Sequence, residues 1–166
     1  MTTRRPALSL FELLIVLALL ALLFALLLPA VFKVRVAAAR SQSANNLKQL
    51  ALANHSYADT NQVFPSGNDD NNFSAAARLL PYIEQDNVYK LIDFTKPSTD
   101  PANANVRQVL IKIFINPRDP QMGAVAGVGP TNYLFNAGSE PSLKDNNGIF
   151  YQDSKIKFSD ITDGTS

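Results

Sequence analysis

The residue whose type and position most plainly suggest chemistry is Glu12. It heads a run of twenty residues, Leu13 to Phe32, that holds no charge, with Arg4 and Arg5 before it and Lys33, Arg35 and Arg40 after it. An ionisable group within hydrocarbon costs on the order of 2.5–3.5 kcal/mol at a helix centre and less near an interface, so a carboxylate at this boundary is a functional candidate. The plainer alternative leaves Glu12 among lipid headgroups. Other reactive side chains are dispersed. The chain has one histidine, His55, and no cysteine, which removes disulfides, thiolate ligands and thiol nucleophiles. Asp59, Asp69, Asp70, Glu84, Asp86, Asp93, Asp160 and Asp163 form no motif for a paired acid and base. A Ser–His–Asp relay would have to be built around His55 on a helix, with no nucleophile elbow in the sequence. Asp69-Asp70-Asn71-Asn72 offers oxygen ligands in a loop, but the spacing is not that of a calcium loop, and a solvated turn describes it better. The expectation is a protein that is not an enzyme, with no catalytic residue, no metal site and no cofactor.

The elements that position these residues begin with the apolar run. As a helix rising about 1.5 Å per residue, twenty residues make roughly 30 Å, the thickness of a bilayer's hydrocarbon core. Val34 to about Thr60 reads as the same helix continuing, with Leu47, Leu50, Ala51, Asn54 and Tyr57 at three- and four-residue steps as a narrow apolar stripe. His55 lies beside that stripe and reads as a packing or surface histidine. Asn61 to Asn72 is a loop with a turn signal at Phe64-Pro65-Ser66-Gly67. Phe73 to Leu80 and Glu84 to Ile92 read as short helical pieces broken by Pro81, with Leu79, Leu80, Tyr82, Ile83, Val88, Tyr89 and Leu91 supplying core. Lys96 to Asn105 is a connector. Val109 to Ile115 has the branched and aromatic content of a buried strand, stopped by Pro117-Arg118-Asp119-Pro120. Gly123 to Pro130 is a small-residue loop whose Gly127-Val128-Gly129 is no phosphate cradle. Thr131 to Asn136 and Ile149 to Gln152 read as strands around a turn at Asp145-Asn146-Asn147-Gly148, with a further short strand at Lys155 to Phe158. The expected fold class is α+β: a long N-terminal transmembrane helix packed on a small antiparallel β-containing domain. Beyond Phe32 basic and acidic residues balance at thirteen each, which argues against a nucleic-acid partner. Two processing patterns compete with a plain anchor. Ala37 and Ala39 form an A-x-A-like signal-peptidase pattern, although the apolar run is long for a signal core and Glu12 fits poorly there. Basic residues at both ends leave orientation open.

Arg4-Arg5-Pro6-Ala7-Leu8-Ser9-Leu10-Phe11-Glu12-Leu13-Leu14 resembles the N-terminus of type IV prepilins and type II secretion pseudopilins. In that family a short basic leader ends in a small residue, usually glycine. A hydrophobic residue opens the mature chain, and a glutamate follows four positions later. The resemblance implies cleavage by a membrane-embedded prepilin peptidase between Ala7 and Leu8 and N-methylation of Leu8. It also implies an assembly role for Glu12, which would neutralise the amine of a neighbouring subunit, and a helix kink at Pro29, seventeen residues on. Ala7 in place of glycine is the departure. The implied partners are that peptidase, other pilin-like subunits and membrane lipid.

Further blocks narrow the resemblance. Asn45-Asn46-Leu47-Lys48-Gln49-Leu50, Phe64-Pro65, Leu80-Pro81-Tyr82-Ile83-Glu84-Gln85, Thr131-Asn132-Tyr133 and Asp160-Ile161-Thr162-Asp163-Gly164-Thr165-Ser166 are similar to the prepilin-headed proteins carrying the domain of unknown function DUF1559. That family often has one cysteine before the Asn-Asn-Leu-Lys-Gln block and another before a Pro-Ser-Asp-Pro block; here Ser43 and Asn116 stand there. The Asp-Gly-Thr-Ser block is normally internal, so an incomplete C-terminal domain is expected. The implied organisation is a leader at 1–7, a helix at 8–60 spanning the membrane over 13–32, and a pilin-like extracytoplasmic domain at 61–166. The implied function is a pseudopilin-like subunit of the cytoplasmic membrane, assembled into a pseudopilus or short surface filament linked to type II secretion. The alternative is a membrane-anchored extracytoplasmic module that binds a glycan, peptide or protein.

Overall fold

The computed structural model describes residues 10–119 and 127–162. The chain divides into two units, Met1–Arg40 and Ser41–Ser166. One helix, α1 (Leu10–Asn61), runs for 52 residues.

In the first unit, every residue from 10 to 38 is exposed. The side chains concerned are large and apolar, Leu26 at 66% and Phe32 at 63% exposure among them. A helix apolar on all sides is stable only where something other than water covers it. This one is long and apolar enough to cross a membrane, as a single span or as a signal sequence. Pro29 lies inside α1. Its ring nitrogen cannot donate to the Ala25 carbonyl, which removes one rung of the helical ladder at that turn.

In the second unit, the helical residues after Arg40 bury Leu50, Ala53 and Ala58. The buried face is therefore not quite the expected stripe: Leu47 is half-exposed and Ala51 exposed, while the small residues Ala53 and Ala58 face inward. The other elements of this unit are α2 (Ala75–Leu79), a 3-10 turn (Leu80–Ile83), α3 (Asp86–Tyr89), α4 (Ala104–Arg107) and 3-10 turns at Pro101–Asn103, Lys112–Phe114 and Phe158–Asp160. Pro81 falls in the first turn of the Leu80–Ile83 segment, where a missing N–H costs nothing, and Glu84 in the left-handed region (φ 61°) ends it. The core centres on Leu50, Leu80, Val88 and Phe114, with Ile83, Tyr89, Ile92, Val106 and Ile111 packed around them. Leu91, expected in the core, is 67% exposed.

The expected antiparallel β domain is not there, and the α+β assignment is corrected: among the described residues there is no β-strand. Only isolated bridges form, Asn68 with Ser74 and Asn68 with Gln152. The physical reason is visible at each expected strand. Val109 to Ile115 has strand chemistry, but Phe114 N–H donates to Ile111 O (3.0 Å) and Ile115 N–H to Lys112 O (3.1 Å), so local bonds curl the segment. Where a ladder would continue, asparagine side chains substitute for backbone: Asn116 N–H donates to Asn132 Oδ1 at 2.7 Å. Asparagine competes in this way with regular pairing wherever its amide reaches the main chain. Asn146, buried, does the same in the 138–148 loop, donating to Glu140 O and Ser142 O (3.0 and 2.6 Å). The residues from 149 to 158 run beside 64–68 through single bonds, Phe64 N–H to Ile156 O (2.8 Å) and Gly67 N–H to Tyr151 O (3.0 Å).

That approach explains Gly67. A Cβ there would collide with the carbonyl of Phe150, which is backbone and cannot swing aside. Gly67→Ala is expected to destabilise the second unit by about 1–3 kcal/mol, seen as a lower urea midpoint.

Candidate functional site

Ala7 and Leu8 lie outside the described residues. Glu12 lies in the first turn of α1. It is the one acid on α1 before Asp59, whereas Lys33, Arg35, Arg40 and Lys48 are all basic. The structure therefore presents an exposed apolar helix with a carboxylate at its head and cations after its apolar part.

His55 does not stand in a catalytic cluster. Its ring stacks on Phe158 (centroids 5.1 Å apart, planes 16°) and meets Phe64 edge-on at 6.4 Å, fastening α1 to the segment near residue 158. Asp69 is likewise engaged. Its Oδ1 accepts from the Asn71 and Phe73 amides (3.0 and 2.9 Å), and its Oδ2 pairs with Arg78 Nη2 at 2.6 Å. The Arg78 guanidinium lies 4.2 Å from the centre of the Phe94 ring, a cation–π contact. The carboxylate thus closes its own turn rather than facing an ion, and no group of acids and histidines among the described residues is arranged to hold a metal.

Ser43 and Asn116 are both held by hydrogen bonds, the Asn116 amide donating to Asn132 Oδ1 as described above. Ser43 Oγ and Tyr133 OH share one at 2.8 Å, and Asn46 Nδ2 donates to Ile115 O at 3.1 Å. Ser43 and Asn46 on α1 thus reach Tyr133 and Ile115, both far away in sequence. Each neutral bond is worth about 1 kcal/mol, less than a disulfide closing the same loop.

The feature that the sequence did not announce is a cavity of about 440 Å³ in the second unit. This lies within the size range of small-molecule sites. Phe73, Leu80, Val88, Ile92, Val106 and Phe114 give it an apolar wall, and Arg107 is its one charged lining residue. Two devices build the wall. Asn103, 1% exposed, accepts from the Asp93 amide (2.9 Å) and donates to Asp93 O (3.0 Å) and Pro97 O (3.2 Å), folding the 93–103 loop back on itself. Arg107, at the end of α4, donates from Nε to Gly127 O (3.0 Å) and from Nη1 to Ser98 O (3.4 Å), tying two loops together. In sequence Asn103 sat in the Lys96 to Asn105 connector and Arg107 just beyond it, with no motif to draw attention to either.

Electrostatics elsewhere is local. The Thr95 hydroxyl and amide, with a smaller contribution from Lys96, hold the exposed Asp93 carboxyl below the usual aspartate range. Burial pushes the Tyr57 phenol up against the opposing charge of Arg78. Tyr57 packs edge-on against Tyr82 at 5.6 Å.

No curated protein and no solved structure matches this chain. One family model does, over residues 33–166, the part that carries the Asn-Asn-Leu-Lys-Gln and Thr-Asn-Tyr blocks. The chain belongs to that family, the proteins of unknown function described as DUF1559.

Proposed function

We propose that the protein is a pilin-like membrane subunit. Prepilin peptidase releases it from its leader between Ala7 and Leu8, and it assembles with other pilin-like subunits into a pseudopilus or short surface filament linked to type II secretion. Its second unit lies outside the cytoplasmic membrane, and it performs no catalysis. The observation that carries this reading is α1, whose exposed apolar part demands lipid or neighbouring helices and begins at the Glu12 carboxylate. Membership of DUF1559 rests on residues 33–166, whereas the roles of Ala7, Leu8 and Glu12 rest on the resemblance of the N-terminal stretch to prepilins. In the filament the cationic amine of Leu8 faces Glu12 of a neighbour. Opposite charges in a low-dielectric surround favour pairing over separate burial.

Intact-mass and N-terminal peptide spectrometry on protein from its native membrane tests the processing. A mature chain starting at Leu8 with an added methyl is the expected result. A chain starting at Arg40, or one retaining Met1, would overturn it. The cavity favours a second reading, an anchored extracytoplasmic binding module, in which Glu12 would tolerate replacement by glutamine or leucine.

A further inference from the structure

The cavity in the Ser41–Ser166 unit carries one uncompensated charge in a wall that is otherwise neutral and mostly apolar. No aspartate or glutamate lines it among the described residues, and Arg107 is its one cation. Two donors of the Arg107 guanidinium are taken by the carbonyl oxygens of Gly127 and Ser98, whereas Nη2 has no acceptor among the described residues. Carbonyls satisfy hydrogen bonds but leave the charge itself unneutralised, and a partly desolvated cation is stabilised by an anion. The contrast with Arg78 is direct: that guanidinium, also partly buried, has Asp69 at 2.6 Å.

We infer that this cavity is a binding site for a small amphipathic carboxylate. The ligand's carboxylate is held by Arg107 Nη2, with the hydroxyls of Ser98 and Thr99 available as further donors, and its aliphatic or aromatic body lies against the apolar wall formed by residues such as Phe73, Val88 and Phe114. The wall excludes the other small-ligand classes on chemical grounds. A sugar needs dense hydrogen-bonding groups, which an apolar wall does not supply. A doubly charged phosphate would leave half its charge unmatched by a lone guanidinium. An ammonium would meet a like charge. The inference is independent of how the N-terminus is processed and of whether filaments form.

The test uses the full chain in lipid nanodiscs, with empty nanodiscs as blank, and three probes of one shape: phenylbutyrate, phenylbutanol and phenylbutylamine. Calorimetric titration is expected to give phenylbutyrate a Kd of about 1 mM or tighter, the range that a dozen well-covered atoms support. Phenylbutanol and phenylbutylamine bind roughly tenfold or more weakly, because they lack the charge-assisted bond. Arg107→Gln brings phenylbutyrate down to the level of phenylbutanol, while Arg107→Lys retains part of the preference. If Arg107→Gln loses its far-UV helical signal, Ala77→Phe replaces it. A ring added at that lining position is expected to abolish phenylbutyrate binding with the fold intact. Equal binding of the three probes, no binding of phenylbutyrate, or wild-type affinity in a folded Arg107→Gln or Ala77→Phe variant would each overturn the inference.

Discussion

Replacing Glu12 with alanine is expected to leave the helical signal of the chain unchanged and to reduce assembled subunit about a hundredfold, measured as cross-linked oligomer or sheared surface filament per total protein. The two halves of this expectation have separate causes. Glu12 lies in the Met1–Arg40 unit, whereas the buried core of Leu50, Leu80, Val88 and Phe114 lies in the other, so the core loses nothing. Assembly loses an ion pair. Removing one partner of a buried pair leaves the other charge uncompensated, at a cost of roughly 3–5 kcal/mol, about two to nearly four powers of ten in an equilibrium constant. Here the abandoned charge would be the Leu8 amine of a neighbouring subunit. Glu12→Gln keeps the shape and a hydrogen bond but not the charge, and is expected to fall between. Wild-type filament yield from Glu12→Ala would sink the assembly role and favour the binding-module reading.

Asn103→Leu is the corresponding test on the folded unit, expected to lower its stability by about 3 kcal/mol. The side chain is close in volume, so the cost is polar and not steric. Three backbone groups lose their partner: the Asp93 amide, the Asp93 carbonyl and the Pro97 carbonyl. A buried group left unpaired costs about 1–3 kcal/mol, and relaxation of the loop toward water recovers part of it. Asn103→Asp keeps the acceptor, loses both donations and buries a charge beside carbonyl oxygens, so it is expected to be at least as damaging. Urea unfolding of the full chain in micelles, followed by near-UV dichroism of its five tyrosines, reads both variants. Hydrogen exchange at the Asp93 amide gives a local check, since that proton should lose protection first. A midpoint within error of wild type would show that the 93–103 loop does not depend on this residue.

Legibility in the sequence divided by how local the physics is. Leu13 to Phe32 could be read at once, because twenty uncharged residues have few alternatives in any context. The breaks near Pro81 and Pro117 were equally readable, since proline acts on its own backbone. Leu50, Leu80 and Val88 in the core followed from spacing and apolarity. Leu91 and Leu47, of the same chemistry, are exposed. What separates them is which elements lie opposite, and no local pattern encodes that. The β domain failed for the same reason. Val109 to Ile115 and Thr131 to Asn136 have strand composition, yet a strand exists only if a second segment offers a matching ladder. Here the asparagines at 132, 136 and 146 take backbone partners for themselves.

The sequence by itself determined an uncharged helix of membrane-spanning length headed by one carboxylate, the absence of any thiol chemistry, and, through its ordered blocks, the family. These follow from composition, chain-local geometry and covalent chemistry, which need no partner to be realised. The tertiary structure alone decided that His55 stacks on Phe158 and that Asp69 pairs with Arg78. It also decided that Asn103 and Arg107, unremarkable in and just beyond a polar connector, build and charge a cavity. A cavity is a relation among segments distant in the chain, and its polarity depends on which side chains converge there and which find partners first.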